Sequence, residues 1–478
     1  MDYSLLLKPG QTTGRSRQHG LYEALRAAIL AGTLSPATRL PSSRQLAQEL
    51  SMARNSVIYA YEQLAAEGFL LADRSGTKVA PLKLGSSQTP PANSSVSLLS
   101  RRCQPFAARF SDETLQAFTP GVPSLADFPI ARWQRALARS WQKSTPDKLA
   151  YGHAAGEDVL REAIAAHLRA GRGVVCDASQ VFITDGTQNS LDLCARLFAD
   201  AGDTAWIENP GYTGAANAFI AAELNITGIA LDQDGIAPQE TDWQTAPPRL
   251  IYLTPSHQYP LGSVLSLERR LMLLQQARKY GSLIIEDDYD SEFRRDGQPL
   301  PAMQGLMPHA PVVYLGTFSK SMFPALRTGF MVVPAHLAAM VENMLSQCQP
   351  RGRQTEQSAL AEFINSGGFS SHLRAMRKLY AARRDAMSEA LNKHLGGLIT
   401  IYGGSSGMHL SIALDHAFSD QAISEAALKQ GLVARALSSY TTGNQSPVNG
   451  FILGYAQVPC ERMDEKVKQL ADIICSAK

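Results

Sequence analysis

The stretch GTFSKSMFPALRTGF, Gly316 to Phe330, follows directly on the apolar run Val312–Leu315. An apolar run closed by small and hydroxyl residues predicts a short buried strand that ends at the mouth of a sheet. Lys320 stands just beyond that end, and Arg327 comes seven positions later. A lysine partly withdrawn from water loses its proton more easily and can condense with an aldehyde to form a Schiff base. A solvated, idle lysine would present the same local sequence, so the surrounding strands have to decide.

From Val159 onward, helices and short apolar strands alternate, which predicts an α/β domain with a mainly parallel sheet. Strand candidates are Val181–Thr184, Ala205–Glu208, Leu250–Leu253, Ser282–Glu286, Val312–Leu315 and Phe330–Val333. Ligands of such sheets gather beyond the carboxyl ends of the strands. After the first run, Gly186, Thr187 and Gln188 open a helix whose free amides suit a phosphate. After the second, Tyr212 offers either a flat stacking surface or an ordinary core aromatic. After the fourth comes EDDYDSEF, with Glu286, Asp287, Asp288 and Asp290 in five positions. Such a run reads as a solvated acidic loop, as a magnesium site, or as a carboxylate that keeps a pyridine nitrogen protonated.

The first eighty residues follow a different pattern. Leu21, Leu25, Ala28 and Ile29 have helical spacing, and Gly32 stops that helix. A second helix, Arg44 to Leu50, can be capped by Ser42 or Ser43. A third carries Val57, Tyr61 and Leu64 and ends at Gly68. Phe69 to Val79 reads as a hairpin with Ser75-Gly76 at its turn. Three helices and a hairpin make a winged helix-turn-helix. Arg54, Asn55 and Ser56 open its third helix, where they can meet a major groove. Arg44 suits a phosphate or a guanine edge. Gly76, Thr77 and Lys78 would bring the wing to the DNA backbone. The alternative is a three-helix interaction module with ordinary surface arginines.

Bulk properties bound the rest. A chain of 478 residues with 45% apolar and 18% charged residues carries two or three domains and a large core. No apolar run reaches the ~18–20 residues of a membrane span. The N-terminus has neither a basic n-region nor a small-residue cleavage site, so no secretory leader is expected. Six scattered cysteines without a Cys-x-x-Cys pair suit a reducing cytoplasm rather than a zinc site or a disulfide framework. The ten histidines make no ligand-spaced cluster, and no metal is expected. Residues 1–80 carry a net charge of +3 and the remainder −1, a modest excess toward a polyanion. Residues 81–104 are rich in Ser and Pro, as in a flexible linker. The expected organisation is 1–80 DNA-binding, 81–114 linker and 115–478 effector domain, with the segment Phe118 to Trp133 as an arm on the larger body.

The segments AGTLSPATRLPSSRQLAQEL, ARNSVIYAYEQLAAEGFL and RSGTKV resemble the GntR-type DNA-binding domain. Met52-Ala53 departs from that family's usual cap of the third helix. The order TDGTQNS, ENPGY, EDDYDSEF and GTFSK resembles fold-type I aminotransferases, with a mainly parallel sheet and a smaller C-terminal α+β subdomain. That resemblance implies pyridoxal 5′-phosphate as cofactor. It makes Lys320 the Schiff-base lysine, with Asp287, 33 residues earlier, on the pyridine nitrogen. Tyr289 would reach the ring hydroxyl and Tyr212 would stack on the ring. Gly186, Thr187, Gln188, Thr317, Ser319 and Arg327 would hold the phosphate. Tyr151 resembles a tyrosine that reaches the phosphate from the other subunit.

Both halves together resemble the MocR subfamily of GntR regulators. The resemblance implies a domain-swapped homodimer on double-stranded promoter DNA. It also implies an amine, amino acid or vitamin B6 signal read at the cofactor, and no membrane partner. A catalytic aminotransferase is the competing class, and it needs an arginine for the substrate carboxylate. The strand GFILGYAQV, where that arginine lies in the enzymes, has none; Arg435 is the nearest candidate. Tyr259 replaces the usual asparagine of the loop TPSHQYPLG. The GABA-responsive branch carries an arginine two residues after the stacking tyrosine, where this chain has Gly214.

Overall fold

The computed structural model describes residues 17–73, 76–81, 100, 102–103, 115–295, 300–349, 352–443 and 446–477. The chain divides into two compact units, Met1–Leu98 and Leu99–Lys478. Most of the expected linker lies outside the described residues.

In the first unit, α1 (Arg17–Leu30), α2 (Ser43–Glu49) and α3 (Arg54–Ala66) precede a hairpin of β1 (Leu70–Asp73) and β2 (Gly76–Val79). Leu21, Leu25, Leu46, Val57 and Leu64 close a single core, as their helical spacing requires. Ser42 caps α2 by accepting the Gln45 amide at 3.2 Å. Ala53 gives α3 no side-chain cap, which leaves that helix's first amides to solvent or a ligand. Gly76 does not sit in the turn as expected; it pairs with Asp73 as the first residue of β2. Backbone bonds from Ala37, Leu40 and Val79 lay residues 37–40 along β2 as a third wing strand.

The second unit is built on an eight-stranded sheet ordered β3-β10-β9-β8-β7-β4-β5-β6. Its strands are β3 (Val181–Thr184), β4 (Thr204–Asn209), β5 (Asn225–Asp232), β6 (Gly235–Ile236), β7 (Leu250–Leu253), β8 (Leu283–Asp288), β9 (Val312–Thr317) and β10 (Gly329–Val332). Neighbours from β9 through β5 pair in parallel. β10 runs against both β9 and β3. Near-continuous burial of β3, β4, β7, β8 and β9 matches a sheet covered by helices on both faces. A second, antiparallel sheet follows, ordered β11-β12-β14-β13. It comprises β11 (Ile399–Tyr402), β12 (His409–Leu414), β13 (Arg435–Ala436) and β14 (Gly450–Gly454). This is the smaller α+β subdomain, with helices Gly368–Leu395 and Cys460–Ser476 packed on one another beside it. Phe118 and Trp133 of the arm are buried in the large core, and the Phe118 carbonyl accepts the Gly454 amide at 2.7 Å.

The acidic run belongs to the sheet. β8 extends to Asp288, and Glu286, Asp287, Asp288 and Asp290 are all buried, which excludes a solvated loop. Strand alternation divides their roles. Glu286 accepts the Met303 and Gln304 amides, and Asp288 takes Arg172 Nε and the Tyr314 hydroxyl, both at 2.6 Å. Asp287 points elsewhere.

Candidate functional site

Asp287 stands beside Leu315 in the register of β8 and β9, at the carboxyl ends of the parallel strands. The Tyr252 hydroxyl, on β7, donates to Asp287 Oδ2 at 2.8 Å. Oδ1 is buried and has no hydrogen-bond partner among the described residues. Burial pushes this carboxyl up to about 7, against the lowering pull of the Tyr252 hydroxyl and Lys320. A buried acceptor left open in this way calls for a donor from a ligand. A protonated pyridine nitrogen is such a donor and would relieve the desolvated carboxylate.

Lys320 lies in the one-turn helix Phe318–Ser321 that follows β9. Thr317 starts that turn by accepting the Ser319 amide at 3.1 Å. Lys320 is half-buried, and burial pulls its pKa below the ordinary lysine value while Asp290 and Asp287 oppose the shift. The arm crosses directly above it. A Cβ on Gly121, whose φ is +71°, would lie 3.0 Å from the lysine Nζ, so only glycine fits without displacing the amine. Gly186, with φ +97°, caps the helix Thr187–Phe198. A Cβ on it would lie 3.9 Å from an Arg327 guanidinium nitrogen and 4.0 Å from Ser319 Oγ. Gly186, Ser319 and Arg327 thus come together from separate elements, with Thr187 and Thr317 beside them in the chain, an arrangement that an anion cradle would require. The Gln188 side chain donates to the Gly214 carbonyl at 2.9 Å.

Tyr212 follows β4, its ring 6.4 Å from that of Tyr252 and 5.6 Å from that of Tyr259. The Tyr289 hydroxyl lies 2.9 Å from the His257 carbonyl oxygen. Tyr151 does not join these residues within one chain: it is 86% exposed.

In the first unit, Arg44, Arg54 and Asn55 are exposed at the start of α2 and α3, with Ser56 half-buried behind them. Arg54 Nε reaches Ser43 Oγ at 3.4 Å. Lys78 pairs with Asp73 at 3.1 Å across the wing. Arg39, which the sequence did not single out, lies on the third wing strand with its guanidinium against Gly76, 3.1 Å from where a Cβ would stand. Gly76, Thr77 and Lys78 are half-buried along the same edge.

Residues 17–79 match the family described as bacterial regulatory proteins, gntR family, and residues 119–470 match aminotransferase class I and II. Over 457 residues the chain is 41% identical to a probable rhizopine catabolism regulatory protein MocR of Rhizobium meliloti, covering 94% of this chain and 92% of that one. The HTH-type pyridoxine biosynthesis transcriptional regulator PdxR of Corynebacterium glutamicum is 30% identical over 478 residues, 99% of each chain. This chain belongs to the MocR-type GntR regulators. A crystal structure of Pyrococcus horikoshii kynurenine aminotransferase, solved with PMP, superposes on the large unit with a TM-score of 0.71 and 26% identity. That match covers 79% of this chain and 97% of the other.

The MocR-type chain is therefore a DNA-binding transcriptional regulator whose large unit has the pyridoxal 5′-phosphate-binding aminotransferase fold. No helix among its described residues is long and apolar enough to cross a membrane. In this regulator Arg435 sits on β13 opposite Ile452 of β14, the strand that lacks an arginine of its own. With Thr213 and Tyr440 it lines a cavity of about 540 Å³. The Tyr259 hydroxyl lies 3.2 Å from that of Tyr440 in the same region. Tyr252, Gly121 and Arg39 escaped the sequence reading. Tyr252 lies in a predicted strand, Gly121 in the arm and Arg39 in the GntR-like segment, and only the fold brings each to its neighbours.

Proposed function

We propose that this regulator senses a small amine or amino acid at pyridoxal 5′-phosphate bound beside Lys320. The observation that carries the reading is the open, buried Oδ1 of Asp287 on the same sheet edge as a desolvated lysine. When bound, the cofactor supplies an electrophilic aldehyde and an electron-withdrawing ring. Asp287 would hold the ring nitrogen, and Tyr252 would keep that carboxylate in place. Tyr212 would cover the ring face and Tyr289 would approach its hydroxyl. Gly186, Thr187, Thr317, Ser319 and Arg327 would fix the phosphate, with the Gln188 amide. Lys320 would give up its amine to the aldehyde and regain it when an effector amine takes its place.

An effector carboxylate would meet Arg435, whose charge already acts on Tyr212, Tyr259 and Lys320. Gly214 supplies no arginine two residues after Tyr212, which argues against a short ω-amino acid held as in the GABA-responsive branch. The cofactor itself is an alternative signal, its occupancy reporting vitamin B6 status. The protein would act in the cytoplasm as a domain-swapped homodimer, and the exposure of Tyr151 supports a role for it in completing the partner subunit's phosphate site. Ligand occupancy would shift the population of arrangements available to the reading heads on promoter DNA. Residues 1–80 would read the DNA and 81–114 would tether them to the effector domain at 115–478.

A second reading, aminotransferase turnover, is favoured by the lowered pKa of Lys320, which suits a proton-shuttling base. The test is to load the full-length protein with pyridoxal 5′-phosphate and screen amines for a change in its visible spectrum. Promoter DNA binding is then measured with and without each hit. The expected result is an altered DNA affinity in the wild type and none in Lys320→Ala. Sustained multiple turnover with a keto acid, with DNA affinity unaltered, would favour the enzyme.

A further inference from the structure

His257, Asp290 and His409 adjoin the candidate cofactor site and have no role in the account above. His257 follows β7, Asp290 follows β8 and His409 opens β12; all three are buried. His257 Nδ1 lies 3.1 Å from both carboxylate oxygens of Asp290 and 3.1 Å from the Tyr289 hydroxyl. That hydroxyl also lies 2.9 Å from the His257 carbonyl oxygen, to which it can donate.

The surroundings select a tautomer. A carboxylate can only accept, so the proton belongs on Nδ1. Nε2 is buried with no partner among the described residues, and a proton there would be a donor with nothing to meet. The contacts thus place the His257 proton on Nδ1, pointing at Asp290 and the phenol oxygen of Tyr289. The His409 ring lies 4.8 Å away at 31°, nearly stacked on that of His257. Burial holds its pKa well below the ordinary histidine value, and the charge of Lys320 adds to that shift. A Cβ on Gly407 would collide with the His257 ring and Asp290, so the tight pairing depends on a glycine.

Ligand atoms of the three side chains fall within 4.8 Å of one another, as a metal site would need. Nearly stacked rings, with Nδ1 already committed to Asp290, fit hydrogen bonding better than convergent coordination. The other titratable groups facing the cluster are Lys320, Asp287, Tyr259, Glu292 and Tyr455. Lys320 is the cation among these, and the Arg435 guanidinium acts on both it and Tyr259.

We propose that Asp290 and His257 form a buried relay that positions the Tyr289 hydroxyl and sets a negative charge against Lys320, biasing the cofactor site toward its protonated form. This rests on the cofactor reading above, and Asp290 and His257 are positioning residues. The sign follows from charge: removing the Asp290 carboxylate destabilises a cation at the Lys320 nitrogen, so its proton leaves at lower pH.

The test is a pH titration of the visible absorbance of full-length protein loaded with pyridoxal 5′-phosphate. Asp290→Asn should move the midpoint down by about one unit, a tenfold change in proton affinity. His257→Gln and Tyr289→Phe should each move it, and the double variant no further than the larger single change, as for residues acting through one hydroxyl. A wild-type protein with no visible band overturns the cofactor reading and the relay together. A wild-type band whose midpoint is unmoved or raised in Asp290→Asn overturns the relay alone. Should the variants fail to fold, ¹⁵N NMR of histidine-labelled wild-type holoprotein decides. The Nδ1–H tautomer of His257 supports the relay, and an Nε2–H tautomer overturns it. Stoichiometric divalent metal in that holoprotein, lost in His409→Ala, would also overturn it by making the cluster a metal site.

Discussion

Tyr252 donates its hydroxyl proton to one oxygen of Asp287 and leaves the other oxygen open. The two residues sit on adjacent parallel strands, so the sheet itself aims the carboxylate. Tyr252→Phe removes the bond that fixes the carboxylate's rotation. A lost hydrogen bond to a charged group predicts about tenfold weaker pyridoxal 5′-phosphate binding. Asp287→Ala, which removes the acceptor altogether, should weaken it by far more. Equilibrium titration of the apo-protein measures both; equal affinities in wild type and Asp287→Ala would remove Asp287 from the site.

Lys320→Ala should abolish the visible absorbance of the loaded protein, because no other lysine stands at that strand mouth. Noncovalent binding would persist through the anion cradle and Asp287. An unchanged visible spectrum in the variant would assign the Schiff base to another amine.

Buried carboxyls, Asp287 and Glu208 among them, make the apo-protein's stability depend on pH. Burial raises both Asp287 and Glu208 to about 7, although Glu208 accepts from the Thr254 amide and hydroxyl. Unfolded carboxyls titrate near ~4, so between ~4 and 7 the folded state binds the extra protons. Their contribution is complete below that window and is lost as pH rises through 7. The melting temperature of the apo-protein should fall across this range. Glu208→Gln should flatten the slope; an identical slope would show that Glu208 is already ionised in the folded chain.

Much of this was legible in the sequence, for identifiable reasons. The six apolar runs became β3, β4, β7, β8, β9 and β10 because each is buried on both faces and bounded by turn residues. β5 and β6 gave no comparable signal, since they close one side of the sheet and most of β5 is only half-buried or exposed. Asp287 and Lys320 were legible from their motifs. The division of the acidic run was not, because it depends on β8 continuing two residues further and alternating its faces. His257 and His409 lie 152 positions apart, and only the fold stacks them.

Gly214 is constrained by Tyr212. A Cβ at this position would collide with the Tyr212 ring, so even Gly214→Ala must displace the proposed stacking residue. We expect Gly214→Ala to weaken cofactor binding as much as Tyr212→Ala does, with little added loss in the double variant. Affinities from fluorescence titration of the four proteins complete that cycle. Full additivity would mean that Tyr212 does not cover the ring.

The DNA-binding prediction separates two kinds of basic residue. Arg44 and Arg54 stand exposed at helix starts, and Arg39 stands exposed on the wing. Lys78, by contrast, is already paired with Asp73. Each phosphate contact removed should lower the slope of log affinity against log salt by about 0.9. Anisotropy titrations on the protein's own upstream DNA, at several salt concentrations, would give that slope for each alanine variant. Arg54→Ala, Arg44→Ala and Arg39→Ala should each reduce it, and Lys78→Ala should reduce it least. A base-contacting arginine would behave differently, weakening specific DNA while leaving the slope on unrelated DNA intact. Arg54 is the residue to watch for this, because it opens the helix that would enter the major groove. Unchanged affinity in all four variants would move the DNA contact off α3 and the wing.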